Sequence, residues 1–534
     1  MAQRVSGVMP TFERYSIRRY AWEAFLTVFV GYLLAFTWMF ADISAPNERS
    51  RVYLATALVD QGSVEIDTQV ARWGKIYDLA TRDGRYYSDK APGSSMLGAV
   101  VYGIARMFTE PSEWTIQELI NLFRTWLMLP ISLIGFLFLR RILEFLGLDP
   151  PAVDIASLAW ILGTAAFHYG AAYFGHQIVA VALLASLYCL MKGEDYALDR
   201  RRGVGGWMFA AGAAAGLAGL TEYQAVIVAG LLLGYVVTST DAARNKGAVP
   251  FIAGAVPFAV VLLWYNDAAF GGPFELSYHY LVDEKLREIH GQGIAGVTIP
   301  TWESFNGSMF SLHRGLFGTS PLFLAIFPGF YFLWRAGWVR LTVVIAATFL
   351  YFVAFVSSSN MWFAGWGFGP RLLVPAMGMW AIPVAFAVHY ALAYPWTEGV
   401  VKGLAAAQIL YHQIVVAFFP ELPETAENPL ADVVDLMWRE GVTSPNLGHR
   451  LFGLEGKLAL APLGVGVLVA LGIVLGRGTW NLRWYLRALV AGMAFATLLV
   501  CATVAASVDG GWTQQDEVKW MKLVKRWEAR EPPR

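Results

Sequence analysis

The sequence predicts an all-α polytopic membrane protein, with about thirteen transmembrane helices and an amphipathic external first loop. Of its 534 residues, 57% are hydrophobic and 15% charged, whereas a soluble chain carries about 25% charged residues. Apolar runs of roughly 20 residues recur along the chain, the length a helix needs to cross a hydrocarbon core. Lys and Arg collect in alternate short loops, as the cytoplasmic preference of cations requires. Alternating segments of about ten residues, the mark of a membrane β-barrel, are not seen. A formal net charge of zero gives no global electrostatic case for a nucleic-acid partner. Cys189 and Cys501 both fall in apolar runs, which argues against a disulfide and leaves too few thiols for a metal cluster.

The elements follow in order. Arg4, Arg14, Arg18 and Arg19 make the N-terminus basic and therefore cytoplasmic, and the run 21–41 is read as a retained span rather than a signal peptide. It delivers the polar stretch 42–93 to the exterior. The middle of that stretch, RVYLATALV, is amphipathic at helical spacing, so the loop should fold back onto the membrane surface. Residues 94–108 are short and interrupted by Arg106, which predicts an interfacial helix. The run 117–139 then returns to Arg140 and Arg141. Hairpins at 152–172/174–192 and 206–221/223–238 return to the basic loops Lys192–Arg202 and Arg244–Lys246. Span 248–265 leads out to the polar loop 266–319, 320–335 returns to Arg335 and Arg340, and 341–357 leads out to SSSNMWFAGWGFGPR. Spans 372–394, 401–419, 457–475 and 485–506 complete the set, and the external tail 507–534 suits either an amphipathic helix on the outer surface or a solvated helix of no function. Every large polar loop (42–93, 266–319, 357–371, 420–456) then lies outside, and function is expected there. No repeat and no separable soluble domain of ~100 residues can be cut from the chain.

These loops bring charge and aromatic rings to the lip of the bundle. In the first, Glu48, Asp42 and Asp89 are candidate general bases, while Arg51 and Lys90 are candidate phosphate ligands beside Tyr87. Pairing of these charges with one another is the competing, structural explanation. FHYGAAYFGHQ carries His168, Tyr173 and His176; without a third ligand nearby, sugar contact is favoured over metal binding. Glu222, between two apolar runs, must be paired or face a wet site. Arg314 is flanked by Gly315, and Arg371 follows Trp362, Trp366 and Phe368 among glycines, which suits a fixed guanidinium holding a phosphate.

Asn47-Glu48…Arg51…Gly62, followed by Gly84-x-x-Tyr87-x-x-Lys90-x-Pro92, resembles the first external loop of the GT-C glycosyltransferases. The branch is the one containing the lipid A aminoarabinose transferase and the protein O-mannosyltransferases. Arg371-x-x-x-Pro375 is similar to the entry into a late span of those proteins. YSDKAPGSS, AAYFGHQ, LAGLTEY, FGGPFELSYHY and HRGLFGTSP resemble blocks of family-39-like bacterial glycosyltransferases. The resemblance runs from about 20 to 395, so residues 1–395 are expected to form a GT-C-like catalytic module that includes loop 42–93. Residues 396–534 would add further membrane helices and an external tail.

The resemblance implies a multi-pass enzyme of the bacterial inner membrane. It would move a sugar from a polyprenyl-phosphate carrier to a lipid, glycan or protein acceptor on the periplasmic face. Some relatives use a divalent cation and others do not. The sequence departs from the family at Asn47, where a leading Asp is usual, so the base role passes to Glu48 first. That departure keeps a non-catalytic accessory subunit in view. A transporter is the other alternative, although the sequence shows no repeat and its charges cluster on one face.

Overall fold

The computed structural model of the protein describes residues 17–38, 45–239, 241–477 and Gly492. Its described residues are mainly helical. The helices are α1 (Ile17–Trp38), α2 (Pro46–Asp60) and α3 (Asp67–Trp73), then a hairpin of β1 (Leu79–Arg82) and β2 (Arg85–Ser88). Next come α4 (Gly93–Ala105), α5 (Ile116–Phe145), α6 (Pro150–Gly163), α7 (Ala166–Ala171) and α8 (Gly175–Leu198). The middle of the chain forms α9 (Val204–Thr221), α10 (Ala225–Val237), α11 (Asp241–Phe270), α12 (Glu284–His290) and α13 (Trp302–Phe310). The last described helices are α14 (Pro321–Arg335), α15 (Val339–Ser357), α16 (Arg371–Ala391), α17 (Pro395–Phe418) and α18 (Gly456–Gly476).

Among the described residues, 8 helices are long and apolar enough to cross a membrane. Helices α4, α6, α10 and α14 are apolar but shorter. The expected total of thirteen is therefore not reached on length alone. The expected last span 485–506 and the tail 507–534 lie outside the described residues, apart from Gly492. The stretch read as an interfacial helix at 94–108 is α4, only 13 residues long, with Val100, Ile104, Met107 and Phe108 exposed.

The polar stretch after α1, expected to fold back onto the membrane surface, packs into the molecule along α2. Ten of the 15 residues of α2 are buried, including Asn47, Glu48, Ser50 and Arg51, so its polar face turns into the molecule. Pro46 starts α2 at a position where its missing N–H costs nothing, and the Glu48 carboxylate accepts from the Ala45 N–H at 3.3 Å to cap the first turn. The hairpin that follows was not anticipated. Leu79 pairs with Ser88 and Arg82 with Arg85 around a two-residue Asp83-Gly84 turn. Both turn residues have positive φ (52° and 77°), the geometry that matches strand twist. Its second strand ends at Ser88 and so presents Asp89 and Lys90.

Two features fix the bundle around this segment. Helices α9 and α11 cross with backbones nearly touching: a Cβ on Gly212 would stand 1.8 Å from the Phe251 carbonyl oxygen, and one on Gly254 2.1 Å from that of Phe209. At the far end of α5, buried Asp154 accepts from Arg140 Nη1 (2.7 Å) and Trp22 Nε1 (2.9 Å), and Arg477 Nε lies 2.8 Å from it. Arg141 joins Glu23 and Glu144 beside it. Arg124 and Arg140 are both on α5, separated by about 24 Å along the helix at 1.5 Å per residue. The ion-pair clasp and the cluster described next therefore occupy opposite ends of the bundle.

Candidate functional site

Arg51, Arg371 and Phe174 form the centre of the cluster. Phe174 lies in the short link between α7 and α8, and two guanidinium groups approach its ring. Arg51 lies 5.9 Å from the ring centroid and Arg371 lies 5.4 Å from it. Arg51, on α2, donates to Ser94 Oγ at 2.8 Å and to the Asn47 carbonyl at 3.1 Å and side chain. Arg371 opens α16 and donates to the Ala364 carbonyl, while its buried Nε finds no acceptor. Arg314 donates to the Phe363 carbonyl and leaves its buried Nη2 without an acceptor. Among the described residues, neither Arg314 nor Arg371 has a carboxylate at ion-pair distance. Buried donors without acceptors are costly, so this arrangement favours an anion.

The loop that carries Arg371 is held by His313. Its two ring nitrogens lie 2.6 Å from the Ala426 oxygen and 2.8 Å from the Gly367 oxygen. Trp366 is half-buried in the same loop.

Glu222 and His176 stand beside the two arginines. His176 opens α8, and its Nδ1 lies 2.9 Å from Glu222 Oε1. The same oxygen is 3.8 Å from Arg51 Nη2, and Gln224 donates to the other. Burial would raise the Glu222 carboxyl, but His176, Arg51 and Gln224 outweigh it and hold the group below its ordinary value. The imidazole stacks on Phe174 at 6.0 Å and meets Tyr169 edge-on at 5.7 Å. His168, also buried, meets the Tyr169 ring at 4.6 Å.

Glu48 is fully buried, and both its oxygens are engaged. Arg124 Nε donates to Oε1 at 2.8 Å and Nη2 to Oε2 at 2.5 Å, while the Tyr173 N–H donates to Oε1 at 2.7 Å. Arg124 reaches inward from a π-helical turn, Arg124–Met128, within α5. Tyr173 in turn donates its hydroxyl to the Ser94 carbonyl at 2.7 Å. Glu48, Tyr173, Ser94 and Arg51 are thus linked in one chain of contacts. Both oxygens of the candidate general base Glu48 are therefore occupied by Arg124 and the Tyr173 N–H.

Asp89 and Lys90 form a separate knot at the end of β2. Lys90 Nζ lies 2.6 Å from Asp89 Oδ2 and 3.1 Å from Asp78 Oδ2. Asp89 also accepts from Ser50 Oγ at 3.1 Å, and its backbone carbonyl accepts from Ser277 at 2.6 Å. Burial pushes the Asp89 carboxyl above its ordinary value although Lys90 pulls the other way. Two carboxylates therefore already neutralise the lysine expected to hold a phosphate. Tyr87 is buried in a small core and meets Phe270 edge-on at 6.0 Å. Asp42 lies outside the described residues.

The structure gathers Glu48, Arg51, His168, Tyr173, His176, Glu222 and Arg371 around Tyr169 and Phe174. Sequence reasoning missed Arg124, Asp78 and Phe174. An arginine in the middle of NLFRTWLML was the readable signal, because a charge in a span needs a partner. Among the described residues, the donors do not fit a divalent cation. Asp78 and Asp89 face Lys90, Glu48 faces Arg124 and Glu222 faces His176, and among the described residues no three metal-ligating side chains converge.

No family model and no curated protein matches the sequence. Similar solved structures exist. ArnT from Cupriavidus metallidurans bound to undecaprenyl phosphate is 18% identical with a TM-score of 0.48, over 90% of this chain and 78% of that one. The archaeal oligosaccharyltransferase AglB from Archaeoglobus fulgidus, in complex with an inhibitory peptide and a dolichol-phosphate, is 12% identical with a TM-score of 0.45. That match covers 97% of this chain and 59% of the archaeal one. The Archaeoglobus fulgidus oligosaccharyltransferase complex with Zn and sulfate is 14% identical with a TM-score of 0.45, over 82% and 57% of the two chains.

Proposed function

We propose that the protein is an integral membrane glycosyltransferase that moves a sugar from a polyprenyl-phosphate carrier to an acceptor on the outer face of the membrane. One observation carries this reading: Arg51 and Arg371 share the Phe174 ring, and Arg371 and Arg314 keep buried N–H groups without acceptors. Such donors complement the phosphate of a carrier whose tail lies among apolar helices. The motifs of the first loop, which resemble those of GT-C transferases, support the same substrate class. As the carrier leaves, negative charge grows on its phosphate oxygen, and fixed guanidinium groups stabilise that charge without reorganising. Glu48 and Arg124 act as a tie that positions α2, and Lys90 braces the hairpin beside the anion site.

Binding of undecaprenyl phosphate to the purified protein in nanodiscs tests the reading. Arg371→Ala is expected to weaken binding about tenfold or more, since a hydrogen bond to a charged group contributes about 1.5–3 kcal/mol. An accessory subunit or a transporter of other cargo would show no such loss. Equal affinity in wild type and variant would set aside the phosphate site.

A further inference from the structure

We infer that the base which deprotonates the acceptor hydroxyl is the imidazole of His176, oriented by Glu222, rather than a carboxylate of the first external loop. The inference rests on the glycosyl-transfer reading above and deepens it.

The loop carboxylates nearest the anion site, among the described residues, are committed. Glu48 is saturated by Arg124 and the Tyr173 N–H, and Asp89 is bound by Lys90 and Ser50. Accepting a proton at either would break a buried contact to a cation. His176 differs. Its Nδ1 lies 2.9 Å from Glu222 Oε1 as an ion-pair contact rather than an aligned hydrogen bond, and Nε2 is the ring nitrogen away from that carboxylate. A carboxylate beside one ring nitrogen favours the tautomer that carries its proton there and leaves the other nitrogen as the proton acceptor.

The position is also right. The imidazole stacks on the ring that both arginines cover, so a proton acceptor and an anion site share one wall. The charged and titratable groups facing it are Glu222 from the α9–α10 link, Arg51 from α2, Arg371 from α16 and Tyr169 from α7. Glu222 is itself held by Gln224 and faces Arg51, so it is a positioning residue. The close approach depends on Gly175, where a Cβ would stand 2.6 Å from Glu222 Oε1 and 3.1 Å from Thr221 Cγ2.

In the step itself, the acceptor oxygen bonds to the anomeric carbon as the bond from that carbon to the phosphate oxygen breaks. The hydroxyl proton passes to His176 Nε2, and the bonding pair leaves with the polyprenyl phosphate. The imidazolium formed is stabilised by Glu222.

The experiment works whichever sugar the carrier holds. Cells lacking the protein should accumulate the unconsumed polyprenyl-phosphate sugar, which lipid mass spectrometry detects. Complementation with His176→Ala should leave that lipid at the level of the deletion strain, because loss of a general base lowers turnover by about 10²–10⁴-fold. The purified variant should still bind undecaprenyl phosphate within about twofold of wild type, which shows that it folds. Glu222→Gln should lower kcat with donor KM nearly unchanged, a split that a merely structural contact would not produce. Clearance of the lipid by a folded His176→Ala protein overturns the assignment and leaves the transferase reading standing. Absence of any such lipid in the deletion strain overturns both.

Discussion

At the scale of single residues, the cluster separates charges paired within the fold from charges whose buried donors lack acceptors. Glu48 and Arg124 belong to the first kind, with relative side-chain exposures of 0% and 5%. Arg124→Met removes the one side chain that, among the described residues, contacts this carboxylate, leaving two backbone N–H groups on it. Stability should fall by about 3–5 kcal/mol, the usual cost of stranding one partner of a buried pair. Adding Glu48→Gln to Arg124→Met should restore part of that loss, because a neutral amide needs no counter-charge. Thermal unfolding of the three proteins in one detergent measures this, and strict additivity would show that the two side chains do not act as a unit. The pair was half legible. Glu48 stood out in a polar loop, whereas Arg124 stood among apolar residues and was absorbed into the span around it.

At the scale of elements, boundaries followed the hydrophobic pattern closely, and departures came where local chemistry overrode it. The span expected at 117–139 is a helix of 30 residues, because its polar ends are taken up by contacts at Glu48 and Asp154 rather than by water. The Asp83-Gly84 hairpin was readable from its turn dipeptide, but its four-residue strands carry far less periodic signal than the helical RVYLATALV segment before them. Arg371 and Glu222 were legible because charge beside a span is conspicuous, but their meeting around Phe174 depends on long-range packing that a sequence does not print.

One crossing can be tested sharply. Gly212→Val would drive a branched side chain against the Phe251 carbonyl and force α9 from α11, costing about 1–3 kcal/mol or more. Gly206, on the same helix, has nothing within 4 Å of its Cβ position. Gly206→Ala should therefore be neutral or stabilising by about 0.5–1 kcal/mol through helix propensity. Similar melting shifts for both would mean that the close approach of the backbones does not matter to stability.

At the scale of the whole molecule, the two ends of the bundle differ in what their charges do. One end carries the arginines that the basic-loop pattern assigns to the cytoplasm. Arg140 and Arg477 close on Asp154, Arg141 on Glu23, and Arg340 on Glu194 at 2.6 Å. The other carries the first loop, tied to the segment before α12 by the Val282 N–H donating to the Leu79 carbonyl at 2.9 Å and by the Ser277 contact to Asp89. If the charge pattern orients the chain, the anion site faces outward. Cysteine labelling tests this directly, with Cys189 and Cys501 first replaced. Gln61 and Lys285 are exposed at the site end, and Arg202 is exposed in the basic loop between α8 and α9. Gln61→Cys and Lys285→Cys should react with a membrane-impermeant maleimide in intact cells, while Arg202→Cys should react only after the membrane is opened. Ser277 would not serve as a reporter, because it is buried and its hydroxyl is bonded to the Asp89 carbonyl. The reverse labelling pattern would turn the anion site toward the cytoplasm, and transfer on the outer face would fall with it.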